Sequence, residues 1–353
     1  MKADNTILRL QGCQEGDENT YYEIDLASPI LGEGNMGVVR KGVMVDSTTG
    51  KTRPVAIKFL FEDLGIGAIR RSEREASIRV IHENLVEMID FLITEDKRGQ
   101  RHYHVISELL HGVMLLDVLK GDVDDAICEQ YPRIKEVIDL WASNREMFAI
   151  NVARSVLSGI LTLHDNGYIH RDIDPSNIMV TDTGKIKLID LGIAKLMHNE
   201  DDSSENLTST GDFVGKPAYA APELVRGDIA HQGKTTDIYA IGIMLYQMIT
   251  GTLPFTGSID EVLRMQLEKK IPLKNINDGR LRKIIKRATE KKQSASYQSA
   301  AEMRVDLEKI SFNQAKVPNT TTFVTDLFDN IYIQFSLVVL AGVLIGAIVA
   351  IIL

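Results

Sequence analysis

From Tyr21 to Leu109 the pattern of hydrophobic and polar residues predicts mostly β-strands. One stretch within this region, around Ala68 to Val80, has the spacing of a helix instead. The residues before Tyr21 are mainly polar, and we expect residues 1–20 to form a loose N-terminal arm. The first part of the chain is therefore predicted to be a small, mainly-β region over residues 21–109.

From Leu110 to Ile310 the pattern predicts mostly helices. Apolar residues recur at helical spacing in Phe148–His164 and again in Ile238–Ile249. The segment 121–144 is charged and contains Pro132 and the only tryptophan, so we interpret it as an insertion between two helices. The predicted fold class is α+β, with a larger mainly-α region over residues 110–310 after the mainly-β one.

The C-terminal residues have a different composition. No residue from Phe335 to Leu353 is charged, and nineteen helical residues rise about 28 Å, close to the thickness of a bilayer core. Extending this stretch back places Tyr332 near one interface, so we predict a transmembrane helix over residues 331–353, with a buried soluble helix as the alternative. Residues 311–330, which include Pro318, are predicted to be the linker to this anchor.

The overall composition argues against several classes of protein. The chain is 44% hydrophobic and 25% charged, as in ordinary globular proteins. A formal net charge of −9 argues against a broad nucleic-acid-binding face, so we expect no nucleic acid partner. The two cysteines, Cys13 and Cys128, form no disulfide framework and suit a reducing compartment. The N-terminus has no apolar run typical of a secretory signal.

A glycine-rich sequence opens the mainly-β region. Gly32, Gly34 and Gly37, followed by Val39, fit the pattern G-x-G-x-x-G-x-V, which lets backbone N–H groups approach phosphates. A simple glycine-rich hairpin is an alternative. A dinucleotide-binding loop is another, but it requires a helix directly after the glycines. The residues after Gly37 read as a strand, which favours a loop between two strands.

A lysine follows on the next predicted strand. In Val55-Ala56-Ile57-Lys58, Ala56 and Lys58 point to the same face, so a small side chain and an ammonium group would line one site. Glu75, on the predicted helix that follows, is the natural partner for Lys58, and Glu73 is the rival. A surface lysine at a strand edge is the simpler alternative.

Three further motifs follow in a fixed order. His170-Arg171-Asp172 precedes Asn177 in the pattern H-R-D-x-x-x-x-N, and Asp190-Leu191-Gly192 comes thirteen residues after that asparagine. One carboxylate can accept a hydroxyl proton, while an amide and a second carboxylate can hold Mg²⁺ on nucleotide phosphates. Ala221-Pro222-Glu223 completes the set.

Together these motifs resemble those of the eukaryotic-like (Hanks-type) protein kinases, and most of all those of bacterial membrane Ser/Thr kinases. The resemblance covers about Tyr22 to Ile310. It implies a two-lobed protein kinase fold, with an N-lobe over residues 21–109 and a C-lobe over residues 110–310. It also implies ATP and Mg²⁺ as cofactors and transfer of the γ-phosphate to Ser or Thr hydroxyls of proteins.

The resemblance assigns roles to the residues that match the family's motifs. Asp172 is implied to be the catalytic base, and Asn177 and Asp190 the ligands of Mg²⁺. Asp237 is implied to brace the catalytic loop, and Ser107 to be the gatekeeper. The residues implied to contact the nucleotide are Gly32, Gly34, Gly37, Val39, Ala56, Lys58, Glu75, Met179 and the hinge from Glu108 to Leu110.

Three positions depart from the family pattern. Asp174 stands where these kinases usually carry a lysine, and Lys216 where they usually carry a threonine. We expect these two residues to be a coupled exchange in which Lys216 bonds Asp174 and acts as a catalytic cation; independent drift of both positions is the alternative. The arginine that usually pairs with Glu223 would fall near Ser296, so Glu223 needs another partner, for which Arg287 is a candidate.

These departures keep other functions open. One is a pseudokinase that binds nucleotide or partners without transferring phosphate, and another is a kinase acting on a small molecule. For the active protein kinase we expect autophosphorylation at Thr208 or Thr210, in an acidic segment gripped by Arg171. Gly342 and Gly346 form a G-x-x-x-G that suggests a homodimer through the anchor. We expect a single-pass protein of the cell membrane with its kinase domain in the cytoplasm.

Overall fold

The computed structural model of the protein describes residues 7–12, 19–34, 36–191, 195–196 and 216–314. Asn35, Gly192, Thr208, Thr210 and Gly215 lie outside these ranges. The predictions that depend on those five residues are therefore not addressed by the structure.

The N-terminal part is a seven-stranded antiparallel sheet with one helix against it. The sheet order is β1-β2-β4-β5-β7-β6, and β3 pairs with β4 at the side. The elements are β1 (Ile7–Gln11), β2 (Thr20–Asp25), β3 (Ile30–Gly34), β4 (Gly37–Asp46), β5 (Thr52–Leu60), α1 (Ile66–Ser77), β6 (Met88–Glu95) and β7 (Arg101–Glu108). The strands have one buried face, which forms a small core of Leu10, Tyr22, Ile24, Val55, Ile57, Leu92 and Ile106.

The first strand corrects one expectation. The segment treated as a loose arm contains β1, which pairs antiparallel with β2 from Ile7 opposite Asp25 to Gln11 opposite Tyr21. Leu10 is only 4% exposed, so it contributes to the sheet core. Leu8 and Leu10 alternate with polar residues, and this short period-2 pattern was too brief to distinguish from a polar arm. The strand exists because β2 supplies its partner.

The C-terminal part is mainly helical and surrounds a second, larger core. Its short strands are β8 (Gly112–Met114), β9 (Tyr168–Ile169), β10 (Ile178–Thr181), β11 (Ile186–Leu188) and β12 (Lys195–Leu196). Its helices are α2 (Leu115–Lys120), α3 (Asp125–Gln130), α4 (Pro132–Ser143), α5 (Arg145–Asp165), α6 (Pro222–Val225), α7 (Lys234–Thr250), α8 (Ile259–Glu268), α9 (Gly279–Ala288) and α10 (Ala300–Gln314). Helices α5 and α7 are apolar on most sides because both lie inside this core.

The predicted insertion at residues 121–144 forms α3 and α4; α4 packs beside α5, and α3 packs on α4. Ile134 is fully buried, and Trp141 packs on Phe148 with ring centroids 5.2 Å apart. The guanidinium of Arg145 lies 4.5 Å from the Trp141 ring centroid on the other side. A buried aromatic anchor thus explains why the tryptophan lies in an otherwise charged segment.

The two lobes meet where the segment after α1 reaches the β10–β11 hairpin. Val86 N–H donates to the Leu188 carbonyl at 2.8 Å, and Leu188 N–H donates to the Asn84 carbonyl at 2.9 Å. The Asn84 side chain also donates to the Ile186 carbonyl at 2.8 Å. These bonds fix β11, and with it the chain leading to Asp190, against the N-lobe.

Within the part of the chain that the structure describes, one helix is long and apolar enough to span a membrane. It is α5, whose length and composition satisfy the test because it is the buried core helix of the C-lobe. A second compact unit extends from Phe312 to Leu353, and only its first three residues are described. The predicted anchor over residues 331–353 lies outside the described ranges.

Candidate active site

The glycine motif forms a hairpin between β3 and β4. Gly32 lies opposite Val39 and Gly34 opposite Gly37, and the chain continues as a strand rather than a helix. A Cβ atom at Gly37 would lie 2.0 Å from the Phe59 carbonyl oxygen, so only glycine fits there. The structure therefore contradicts the dinucleotide-loop alternative, which needs a helix directly after the glycines.

Several residues that are predicted to contact the nucleotide lie on one face of this sheet. Lys58 lies opposite Val39 on β4, and Ala56 lies opposite Ser107 on β7. Directly opposed residues of antiparallel strands share a face, and residues two apart on one strand do so as well. Val39, Ala56, Lys58 and Ser107 therefore line the same side of the sheet, and all four are partly exposed.

Glu75 lies inside the cleft, whereas Glu73 is exposed on the surface of α1. Glu75 Oε1 accepts a hydrogen bond from the Leu191 N–H at 3.2 Å, and Oε2 has no hydrogen-bond partner among the described residues. Burial, with the nearby Asp190 charge, raises the pKa of Glu75 to about 7, while Lys58 acts to lower it. The carboxyl group thus lies in the field of Lys58 but bonds the chain next to Asp190.

The catalytic-loop motif folds around Asp172. The side-chain amide of Asn177 donates to the backbone carbonyl of Asp172 at 2.9 Å and to its carboxylate at 3.0 Å. Burial, then the charge of Asp174, raises the pKa of Asp172, and Asp190 adds to the effect. The Ile189 N–H donates to the Asn177 carbonyl at 2.9 Å, which places the motif's asparagine beside the chain that carries Asp190.

Asp237 braces this loop from the buried helix α7. Its carboxylate accepts hydrogen bonds from the His170 N–H at 2.9 Å and the Arg171 N–H at 2.7 Å, and it contacts His164 Nε2 at 2.8 Å. Burial opposes ionisation, but the bonds from His164 and His170 outweigh it and hold the pKa of Asp237 below its usual value. Arg171 has a φ of 69°, the only positive value among the described non-glycine residues, so the brace fixes a backbone conformation that is otherwise unfavourable.

Lys216 reaches into the catalytic loop from the other side. Its ammonium lies 2.6 Å from Asp174 Oδ1 and also donates to the Ser176 hydroxyl. The Asp174 side chain is 2% exposed and that of Lys216 is 45% exposed, so the lysine covers a buried carboxylate from the solvent side. The expected contact between Asp174 and Lys216 is therefore present.

Arg287, the candidate partner of Glu223, pairs with another residue. Arg287 pairs with Glu302 at 2.6 Å and lies 4.0 Å from the Tyr297 ring centroid. Glu223 instead accepts a hydrogen bond from the Thr236 hydroxyl at 2.7 Å, and both residues are buried. Sequence analysis missed Thr236 because its only signal was its position next to Asp237.

A cavity of about 610 Å³ lies beside the predicted nucleotide site. Leu31 of the glycine hairpin lines one side and Met179 of β10 lines the other, so the cavity continues the predicted nucleotide site. The insertion supplies a third wall, and the remaining lining residues are Gly112, Val113, Met114, Asp117, Gly121, Asp122, Val123, Asp124 and Ile127.

The side-chain oxygens of Asn177 and Asp190 are of the kind that fits a magnesium–nucleotide complex. Mg²⁺ is usually held by one or two protein oxygens, with phosphates and water completing the shell. Asn177 and Asp190 supply an amide and a carboxylate oxygen from adjacent chain segments. The described residues contain no cluster of three or more His, Cys, Asp or Glu side chains suited to a metal.

Comparison with known proteins agrees with the kinase motifs of the site. The chain is 32% identical over 300 residues to the probable serine/threonine-protein kinase CPE1738 of Clostridium perfringens, covering 82% of this chain and 38% of that protein. It is 30% identical over 305 residues to the probable serine/threonine-protein kinase PknB of Corynebacterium glutamicum, covering 83% and 42%. It is 29% identical over 283 residues to the serine/threonine-protein kinase PknB of Mycobacterium tuberculosis, covering 78% and 41%.

The chain spans about two fifths of the length of these curated relatives. The family model for the protein kinase domain matches residues 27–311, which include every motif described above and all of both lobes except β1 and β2. The chain therefore belongs to the protein kinase family.

Proposed function

We propose that this chain is a protein Ser/Thr kinase that transfers the γ-phosphate of ATP to Ser or Thr hydroxyls of proteins. The observation that carries the proposal is the arrangement around Asp172, whose carboxylate is held by Asn177 in a loop braced by buried Asp237. Similarity to bacterial Ser/Thr kinases supports the class of acceptor.

In this proposal the substrate hydroxyl oxygen attacks the γ-phosphorus, the bond to the β-phosphate oxygen breaks, and ADP leaves. Asp172 accepts the hydroxyl proton; its raised pKa suits a base that must hold that proton. Lys58 neutralises phosphate charge, and Asn177 and Asp190 hold Mg²⁺, which supplies charge neutralisation on the phosphates. The glycine hairpin covers the triphosphate. Val39, Ala56 and Met179 enclose the adenine.

A pseudokinase is the alternative, and one observation favours it. Among the described residues no ion pair joins Lys58 to Glu75. Oε1 of Glu75 accepts a hydrogen bond from the Leu191 N–H, and its Oε2 has no hydrogen-bond partner among the described residues. The test is ADP release by the full chain with MgATP and a Ser/Thr peptide library, measured beside ATP binding. Peptide-dependent ADP release supports the kinase, whereas binding without release supports the pseudokinase.

We also propose that residues 331–353 anchor the kinase in the cell membrane and that the catalytic domain faces the cytoplasm, where ATP is available. The support is an uncharged stretch whose helical length of about 28 Å matches a bilayer core. Small residues at Gly342 and Gly346 would let two such helices approach closely, which would favour a homodimer.

Deleting residues 331–353 should move the protein from the membrane fraction to the soluble fraction. Gly346→Ile should leave the protein in the membrane and reduce self-association in a membrane two-hybrid assay, because a branched side chain separates the helices. Val343→Ile, between the two glycines, is the matched control. A truncated protein that stays in the membrane, or a Gly346→Ile signal equal to that of the parent, would contradict the respective part of the proposal.

Autophosphorylation at Thr208 or Thr210 is part of the same proposal. A phosphate there would form charge-assisted hydrogen bonds with Arg171, whose guanidinium now donates to Gln232 at 3.2 Å. After incubation with MgATP, mass spectrometry should find phosphate in the peptide that contains both threonines. If all mapped phosphates lie elsewhere and the double alanine variant keeps full activity, this part of the proposal fails.

A further inference from the structure

Lys187 lies beneath the hinge, on the face of the C-lobe hairpin that carries the proposed adenine floor. On the β10–β11 hairpin Lys187 is directly opposite Met179, and Met179 is opposite Met114 on β8. Directly opposed residues share a face. The Lys187 ammonium is therefore part of the surface that continues the floor of the nucleotide cleft toward the hinge.

This ammonium is bonded to the N-lobe at two points. It lies 2.5 Å from the carboxylate of Glu108, the last residue of β7, and it donates to the Leu85 carbonyl at 3.0 Å. The two charged side chains are only 14% and 19% exposed. Removing one partner of a charge pair so shielded from water is costly, because the other charge is left without its partner in a poorly hydrated position.

Glu108 in turn belongs to a network behind the hinge. Its Oε1 accepts the Glu87 N–H at 2.9 Å, and its own N–H donates to the Glu87 carbonyl at 3.0 Å. Both carboxylate oxygens of Glu87 bond the guanidinium of Arg53, at 2.9 and 2.6 Å. The Glu108 side chain is thus held between the segment just before β6 and strand β11 of the C-lobe.

We propose that Lys187 is a positioning residue for the adenine ring, because it sets the distance between the hinge and the cleft floor. This inference rests on the proposed function, in which backbone groups at Glu108 to Leu110 bond the adenine edge and Met179 lies under its face. Lys187 ties Glu108 to the strand opposite Met179, so these two surfaces cannot separate without breaking a largely shielded ion pair. Asp190 follows three residues later, so the chain that leaves this strand carries the proposed magnesium ligand.

The chain offers a matched control on the same hairpin. Lys185 also pairs with a residue of the segment that joins α1 to β6, but its partner Glu83 lies at 3.1 Å and the two side chains are 54% and 65% exposed. Exposed pairs of this kind contribute little to stability or position. Lys185→Met and Lys187→Met therefore remove the same charge from neighbouring positions with different burial.

The test is nucleotide affinity of the full chain, measured by competition with a fluorescent ATP analogue. Lys187→Met should lower the affinity for both ATP and adenosine by about tenfold, a change of the size expected for loss of one good polar contact. It should leave inorganic triphosphate binding unchanged, since only the base is misplaced. Lys187→Arg should recover part of the loss, and Lys185→Met should stay within about twofold of the parent. In turnover, KM for ATP should rise more than kcat falls.

Several results would overturn the inference. These are parent-like adenosine affinity in Lys187→Met, an equal loss in Lys185→Met, or a loss that extends to inorganic triphosphate. If Lys187→Met does not fold, Glu108→Gln decides the question, because it keeps the acceptor and removes the charge; adenosine affinity equal to that of the parent would then overturn it. Failure of the parent to bind ATP would count against the proposed function instead.

Discussion

Replacing Asp172 with asparagine should lower kcat for phosphoryl transfer by about 10²–10⁴-fold, the range supplied by a positioned general base. Asparagine keeps the shape of the side chain and can still contact Asn177, but it cannot accept the hydroxyl proton. ATP affinity should stay within about twofold, because Asp172 contacts the acceptor rather than the nucleotide. The measurement is steady-state transfer to a Ser/Thr peptide, with nucleotide binding measured separately.

Asp165→Asn is the control for this substitution. Asp165 is the exposed last residue of α5, so the same change in charge there should leave kcat unaltered. Activity of Asp172→Asn equal to that of the parent would remove Asp172 from the mechanism. Loss of ATP binding in the same variant would show that the substitution disturbs the fold rather than the base.

The second large effect is expected at Asp174 and Lys216. Asp174 is buried, its Oδ1 bonds Lys216 at 2.6 Å and the Ser176 N–H at 2.7 Å, and its Oδ2 has no partner among the described residues. Its charge adds to those of Asp172 and Asp190 close to where phosphate must bind. Without a cation, this concentration of negative charge would repel the γ-phosphate. Lys216 supplies that cation, and we propose that it also contacts the transferring phosphate.

Asp174→Lys alone and Lys216→Thr alone should each lower kcat by about tenfold, since contacting charges couple by 0.5–3 kcal/mol in typical cycles. The first variant places two ammonium groups together, and the second leaves a buried carboxylate unpaired. The double variant should recover much of the activity, because it returns one lysine and one hydroxyl to the pair. Kinetic constants for the four proteins complete the cycle.

The pH dependence of kcat/KM tests the effect of Asp174 on the pKa of Asp172. Asp172 must be ionised to act as base, so activity rises with pH through its pKa, which burial and Asp174 raise. Removing the negative charge in Asp174→Asn should lower that pKa and move the acid limb to lower pH. Additive losses in the cycle, or a Lys216→Thr enzyme as fast as the parent, would contradict the coupling of Asp174 with Lys216. An unshifted acid limb would contradict the effect of Asp174 on Asp172.

The motifs could be located from sequence because each one is local. The face of the sheet that carries Ala56 and Lys58 could be predicted because side chains alternate along a strand. Val39 lies on the same face, opposite Lys58. The two core helices were predicted from their long apolar periodicity. The predicted stretches Phe148–His164 and Ile238–Ile249 lie within α5 and α7.

The features that sequence analysis missed depend on contacts between distant segments. Glu223 is partnered by Thr236 because α6 packs near the start of α7, and no local pattern encodes that pairing. Glu75 was expected to bond Lys58, but its bond goes to the Leu191 N–H, 116 residues away. No sequence motif singles out Lys187, because its partner Glu108 lies across the lobe boundary.

The most direct test of the account is transfer of radiolabelled γ-phosphate from MgATP to a protein substrate by the full chain, followed by phosphoamino acid analysis. The account predicts phosphoserine or phosphothreonine with the parent protein and with Asp165→Asn. It predicts loss of most of this label in Asp172→Asn and on chelation of Mg²⁺. A parent protein that binds ATP but transfers no more label than Asp172→Asn would contradict the assignment as an active kinase.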